Sequence, residues 1–113
     1  MREHGRGLFT TAVSEAEIIY GIAILREGRR KRDLEAAARG VLALFAGRIL
    51  PFDSLAAREF AAIVVDRRRL GRPISDFDAQ IAAITRARNM SLATRDTRDF
   101  LETGVQIIDP WQP

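Results

Sequence analysis

The sequence predicts an α/β fold with a mostly parallel sheet. Short runs rich in β-branched and apolar residues recur along the chain, as "LFTTAV", "RILPF", "MSLAT" and "VQII". Segments with apolar residues at helical spacing alternate with them, and Gly, Asp, Ser or Pro punctuates most boundaries. Strands that alternate with helices read as parallel pairing through helical crossovers.

Residues 8–13, "LFTTAV", form a short strand bounded by Gly7 and Ser14,. A helix is expected over residues 15–26, apolar nearly all round and therefore deeply buried, with Tyr20 in the core and Gly28 as its stop,. A second helix spans residues 32–46, with Leu34, Ala38, Val41, Leu42 and Phe45 on one stripe and Gly47 at its end,. "RILPF" is a strand over residues 48–52, and Asp53 then caps a helix over residues 54–70 that Gly71 closes and Pro73 separates from the next helix,. That helix covers residues 76–88 with Asn89 as its C-cap, and "MSLAT" is a strand over residues 90–94. A helical turn at residues 97–102 and a last strand, "VQII", complete the pattern, with Trp111 packing at the C-terminal edge.

A chain of 113 residues is at most one small domain, here residues 1–113 with residues 1–7 disordered,. No apolar run is long enough to span a bilayer, and the polar start "MREHGRG" has no apolar signal core,. Both point to a cytoplasmic protein with no membrane partner. The absence of cysteine excludes disulfides and thiolate metal sites, and His4 is the only histidine,. A metal site would have to be built from oxygen ligands, which favours Mg²⁺ or Mn²⁺. The net charge is +3, and Lys31 is the sole lysine. Arg29-Arg30-Lys31-Arg32 and Arg67-Arg68-Arg69 have two readings: patches that attract a polyanion, or solvated helix faces in an Arg-rich composition,.

The acidic residues carry the chemical question. Ser14-Glu15-Ala16-Glu17 and Ser75-Asp76-Phe77-Asp78 both read as Ser-x-x-acid, the pattern of a capping box, although Asp is less usual than Glu in the last position,. First-turn acids also suit the helix dipole. Against that reading, Glu17 shares a helix face with Tyr20, Gly21 and Ile24, and Asp78 shares one with Ile81 and Ala82. An acid on an apolar face is costly unless paired or metal-bound. Parallel α/β folds gather functional groups at the carboxyl ends of strands. Glu17 follows the first strand and Asp96 follows "MSLAT", so the two share one sheet edge if those strands lie in one parallel sheet. Asp78 joins them if its helix starts at that edge. Clustered carboxylates repel one another unless a divalent cation lies between them, and such a cluster can activate water. Asp96 has an alternative as the cap of the following turn, Asp99 as the partner of Arg95 or Arg98, and Thr94 as a plain strand end. Asp76 reads as a solvated bystander.

The segments "FTTAVSEAEIIYGIAIL", "GRILPFD", "GRPISDFDAQIAAITRARNMSLATRDTRDF" and "GVQIIDPW" occur in an order that resembles a PIN domain, over about residues 8–111. They look most like the VapC and FitB-like toxins of bacterial toxin–antitoxin pairs. The resemblance implies a three-layer α/β/α fold and an Mg²⁺- or Mn²⁺-dependent endoribonuclease that hydrolyses RNA phosphodiesters with an activated water. It matches Glu17, Asp78 and Asp96 to the metal-binding acids, Asp99 to a further catalytic acid, and Thr94 to a substrate-positioning hydroxyl. It also implies a small antitoxin as partner, a homodimer, and contact with DNA only through the antitoxin.

The sequence departs from this pattern at its start. Family members begin with a strand that lies mid-sheet and ends in an aspartate, and no strand or aspartate precedes Leu8 here. The reading is therefore of an N-terminally truncated member, with a metal ligand missing and strand edges unpaired. Its origin is a start codon called too far downstream, a decayed gene, or a chain whose gap another copy or the antitoxin fills. Three functions remain distinct: the metal-dependent ribonuclease toxin, a catalytically silent remnant that binds antitoxin or RNA, and a small interaction domain whose acids are helix caps.

Overall fold

The computed structural model describes residues 9–94 and 96–108. The expectations for residues 1–8, which include His4, for Arg95 and for Asp109, Pro110 and Trp111 lie outside the described residues. The chain runs β1 (Thr10–Thr11), α1 (Ala12–Ala23), α2 (Arg29–Leu44), β2 (Ile49–Leu50), α3 (Ser54–Arg69), α4 (Asp76–Ala87), β3 (Ser91–Ala93), a 3₁₀ turn (Thr97–Phe100) and β4 (Gln106–Ile108). The arrangement is three-layered, α/β/α, and both strand pairings among the described residues are parallel. Thr10 pairs with Ile49 and Thr11 with Leu50, while Ser91, Leu92 and Ala93 pair with Gln106, Ile107 and Ile108.

Among the described residues the strands form two separate pairs, β1–β2 and β3–β4, rather than one continuous ladder. A narrow gap lies between them, lined by Thr11 and Leu50 from one pair and by Ser91 and Leu92 from the other.

The first strand is shorter than its sequence suggested, because the helix begins three residues early. Thr11 takes the extended N-cap conformation, and its hydroxyl accepts a hydrogen bond from the Ser14 amide at 2.9 Å. Ala12 and Val13 are thereby recruited into α1. Ser14 is not the cap, so Ser14 and Glu17 do not form a capping box. Gly28 does not stop α1 but serves as the N-cap position of α2. The Lys31 ammonium donates to the Ala23 carbonyl at the end of α1 and to Glu27, which ties the two helices at their turn. One member of the first basic cluster is therefore structural.

The later boundaries agree with their local signals. The Asp53 carboxylate accepts from the Ala56 amide at 3.1 Å and opens α3. Gly71 closes that helix at φ +70°, a backbone region that costs a glycine little,. The Ser75 hydroxyl accepts from the Asp78 amide at 3.2 Å and opens α4. Asn89 leaves α4 at φ 55°.

The core is centred on α4, where Ala79, Ile81, Ala82, Ala83 and Ile84 are all buried. Ala56 and Ile63 of α3, Val13, Leu92 and Phe100 complete it. The expectation of a deeply buried first helix is corrected. Only Val13 of α1 is buried, Tyr20 is 62% exposed, and Ile24 beyond its end is 64% exposed. No residue of α2 is buried, and Val41 and Leu44 on it stand in the open. The two helices pack on each other, and α1 meets the core only at its first turns. Apolarity on every side of a helix marks what it can bury, whereas burial requires a second surface to cover it.

Candidate active site

Four residues singled out in the sequence line one open cavity of about 250 Å³: Glu17, Asp78, Thr94 and Asp96. Each arrives from a different element. Glu17 stands on the second turn of α1, which the early start at Thr11 brings to the cavity. Asp78 stands in the first turn of α4, with its amide held by Ser75. Thr94 extends the β3–β4 ladder, its amide donating to the Ile108 carbonyl at 2.9 Å. Its hydroxyl accepts from the Asp96 amide at 3.0 Å, so the residue that ends the strand also fixes the backbone that presents Asp96. Asp96 occupies the cap position of the 3₁₀ turn, but its side chain makes no capping hydrogen bond. Ile81, Leu92 and Phe100 form the apolar floor.

Asp99 does not line the cavity. It is exposed on the 3₁₀ turn and makes no ion pair with Arg98 among the described residues. Its charge still reaches Asp78. Asp76 is exposed beside Asp78 and takes no part.

The electrostatics reflect this placement. Burial raises the pKa of Glu17 above its ordinary value, and the charge of Asp78 raises it further. Burial likewise raises Asp78, the Ser75 hydroxyl opposes that shift, Asp99 and Asp96 add to it, and Arg67 opposes it. Half-buried acids held toward the protonated form by burial and by neighbouring carboxylates are the condition a divalent cation relieves,. The donors are all oxygen, which suits a hard cation. Among the described residues no group of three acidic or histidine side chains stands close enough to hold one ion.

The fold and this cavity fit a known family. The family model for the PIN domain matches residues 2–105. The chain belongs to the PIN-domain family. A VapC ribonuclease, Y4jK, of Sinorhizobium fredii is 37% identical over 107 residues, which is 94% of this chain and 76% of the relative. The toxin FitB of Neisseria gonorrhoeae is 37% identical over 105 residues, covering 92% of this chain and 76% of the relative. Among solved structures, that of FitAB bound to an IR36 DNA fragment superposes with a TM-score of 0.85 at 37% identity, covering 93% of this chain and 74% of the other.

Two residues at this PIN-type site escape a reading of the sequence. The pattern marks Ser14 only as a cap, yet it lines the cavity. Its oxygen accepts from the Thr11 hydroxyl at 3.0 Å, which leaves its own proton free to donate. Arg67 reads as one of three surface arginines, but it is only 6% exposed. Its signal is present in the sequence: Ala56, Phe60, Ile63 and Arg67 recur at spacings of 4, 3 and 4 along the inner face of α3.

Proposed function

We propose that the chain, as a single PIN-like domain over residues 1–113, is the toxin of a type II toxin–antitoxin pair in the cytoplasm, a metal-dependent endoribonuclease. The observation that carries the reading is that Glu17, Asp78 and Asp96, from three separate elements, line one cavity in which the two half-buried acids are both shifted toward protonation. The similarity to a VapC ribonuclease and to the toxin FitB supports it.

In this reading Glu17, Asp78 and Asp96 are the residues that would hold Mg²⁺ or Mn²⁺, and they would have to draw closer together than they stand here to share one ion. When bound, the cation lowers the pKa of a water and neutralises charge on the scissile phosphate. Glu17 and Asp78 hold a proton at a carboxylate oxygen more readily than ordinary acids, and cation binding competes with that proton. Thr94 fixes the backbone of Asp96. Asp99 adds to the negative field from outside the cavity. Ser14 offers a hydroxyl to a phosphate oxygen, and the apolar floor limits the water around it.

The exposed apolar surface of α1 and α2, with Tyr20, Ile24, Val41 and Leu44, suits an antitoxin segment that lies across it,. A homodimer belongs to the same reading, with DNA reached only through the antitoxin. No helix among the described residues is long and apolar enough to cross a membrane.

A second reading is a catalytically silent PIN member that binds antitoxin or RNA. It is favoured by the absence, among the described residues, of three acids close enough to share one ion. Incubation of the chain with RNA in Mg²⁺, in Mn²⁺ and in EDTA, beside Asp78→Asn, separates the two. Cleavage that needs the cation and Asp78 supports the enzyme. RNA or antitoxin binding without cleavage supports the silent reading, and cleavage that persists in EDTA contradicts a metal-dependent mechanism.

A further inference from the structure

Arg67 is a buried charge with no carboxylate in ion-pairing range among the described residues. Such a charge is costly unless its donors are fully used. Here two of the three guanidinium nitrogens donate to main-chain oxygens. Nε donates to the Arg72 carbonyl at 2.6 Å, and Nη1 donates to the carbonyls of Asp99 and Leu101, each at 3.0 Å. Arg72 lies in the link that leads into α4 and Asp78. Asp99 and Leu101 bracket the end of the 3₁₀ turn that Asp96 opens. One guanidinium thus joins the end of α3 to the two segments that carry the site's acids. The turn is also held by the burial of Phe100 in the core, by the Thr103 hydroxyl donating to the Phe100 carbonyl, and by Thr94 accepting from the Asp96 amide. Just beyond it lies the exposed Arg72–Glu102 ion pair. Arg67 is the buried side chain that reaches its carbonyls from α3.

We propose that Arg67 is a positioning residue for the acidic site, holding the Asp96–Asp99 turn against the end of α3 and the link that leads into α4 through hydrogen bonds to backbone carbonyls. The arrangement requires arginine: a planar fork donates in two directions at once, whereas a lysine ammonium is a point donor on a flexible stem. The same positive charge opposes, at Asp78, the effect of the Asp96 and Asp99 charges, so losing it removes a tie to the turn and a favourable charge from the site together. The link to metal binding rests on the proposed function, but the mechanical tie does not.

The test compares Arg67→Met and Arg67→Lys with Ile63→Val, a control one turn earlier on the same buried face of α3. Amide hydrogen exchange is followed at residues 97–101 and across α4, and Mn²⁺ binding is read from its EPR signal. Arg67→Met should speed exchange at residues 97–101 by about tenfold beyond what its loss of global stability explains, since hydrogen bonds from a charged donor are among the stronger ones. It should also weaken Mn²⁺ binding by about tenfold, with Arg67→Lys in between on both readouts. Ile63→Val should leave the ratio of turn to α4 exchange and the Mn²⁺ affinity as in the wild type. If the turn in both Arg67 variants exchanges only as fast as global unfolding demands, Arg67 is a core stabiliser and the proposal is overturned. If the wild type binds no Mn²⁺ while the turn still loosens in the variants, the tie stands and the ribonuclease reading fails. Should Arg67→Met not fold, Arg67→Lys carries the comparison.

Discussion

Glu17 on α1 and Asp78 on α4 are 61 positions apart in sequence and face one cavity, each with a carboxyl raised above its ordinary pKa. Burial is the leading cause for both, and the charge of Asp78 adds to the shift on Glu17. The relationship makes the pair a liability to the metal-free fold at neutral pH.

The first prediction is a pH dependence. A carboxyl whose folded pKa exceeds its unfolded pKa binds more protons in the native state over that interval, so stability falls as pH rises through it. The window opens at the ordinary values, 3.8 for Asp78 and 4.5 for Glu17, and extends upward. In EDTA, Asp78→Asn should therefore gain stability relative to the wild type as pH rises from about 4 to about 7. Denaturant midpoints across that range measure it. A difference that does not change with pH contradicts the raised pKa. A uniform loss is what a purely capping Asp78 would give.

A second prediction separates the two oxygens of Asp53. Oδ1 accepts from the Ala56 amide, while Oδ2 pairs with Arg88 Nη2 at 2.7 Å, with both side chains about a third exposed. Asp53→Ala loses cap and pair and should cost about 1–2 kcal/mol. Asp53→Asn keeps an acceptor for the amide and should cost less than about 1 kcal/mol. Urea unfolding checks both, and equal losses would show that the cap contributes nothing.

A third prediction contrasts two isoleucines. Ile63 is fully buried and Ile24 is 64% exposed. Ile63→Ala should cost about 2–5 kcal/mol, and Ile24→Ser should change stability by no more than about 0.5 kcal/mol. Ile24→Ser should also reduce self-association at high concentration, because it interrupts the apolar face of α1 and α2. Unfolding curves and light scattering measure the two effects. A large loss of stability from Ile24→Ser would mean that the surface is covered within the chain.

Much of the fold is legible in the sequence because its signals are local. Asp53, Gly71 and Ser75 each act on the three or four residues beside them, and each lies where the sequence places it. The start of α1 is harder, since Thr11 and Ser14 are equally able caps and only the pairing of Thr10 and Thr11 with β2 decides between them. The burial of α1 is overestimated for a different reason. Composition measures how apolar a helix is, whereas exposure depends on what the rest of the chain brings to it. The division of the strands into two pairs is likewise a property of tertiary contacts, beyond the reach of periodicity. Glu17, Asp78, Thr94 and Asp96, singled out from their places at strand and helix ends, line one cavity. Asp99 is grouped with them by motif but stands outside the cavity. Arg67 is lost in a run of three arginines until its burial singles it out.

Whether the acidic cavity binds a divalent cation is decided by Mn²⁺ binding to the wild type and to Asp78→Asn, with thermal melting alongside. One bound Mn²⁺ at a hundredfold excess over Kd stabilises a fold by about 2.7 kcal/mol. A cation site built on these acids gives binding and a raised melting temperature in the wild type, with both strongly weakened in Asp78→Asn. Equal binding by the two proteins, or none by the wild type, would contradict it.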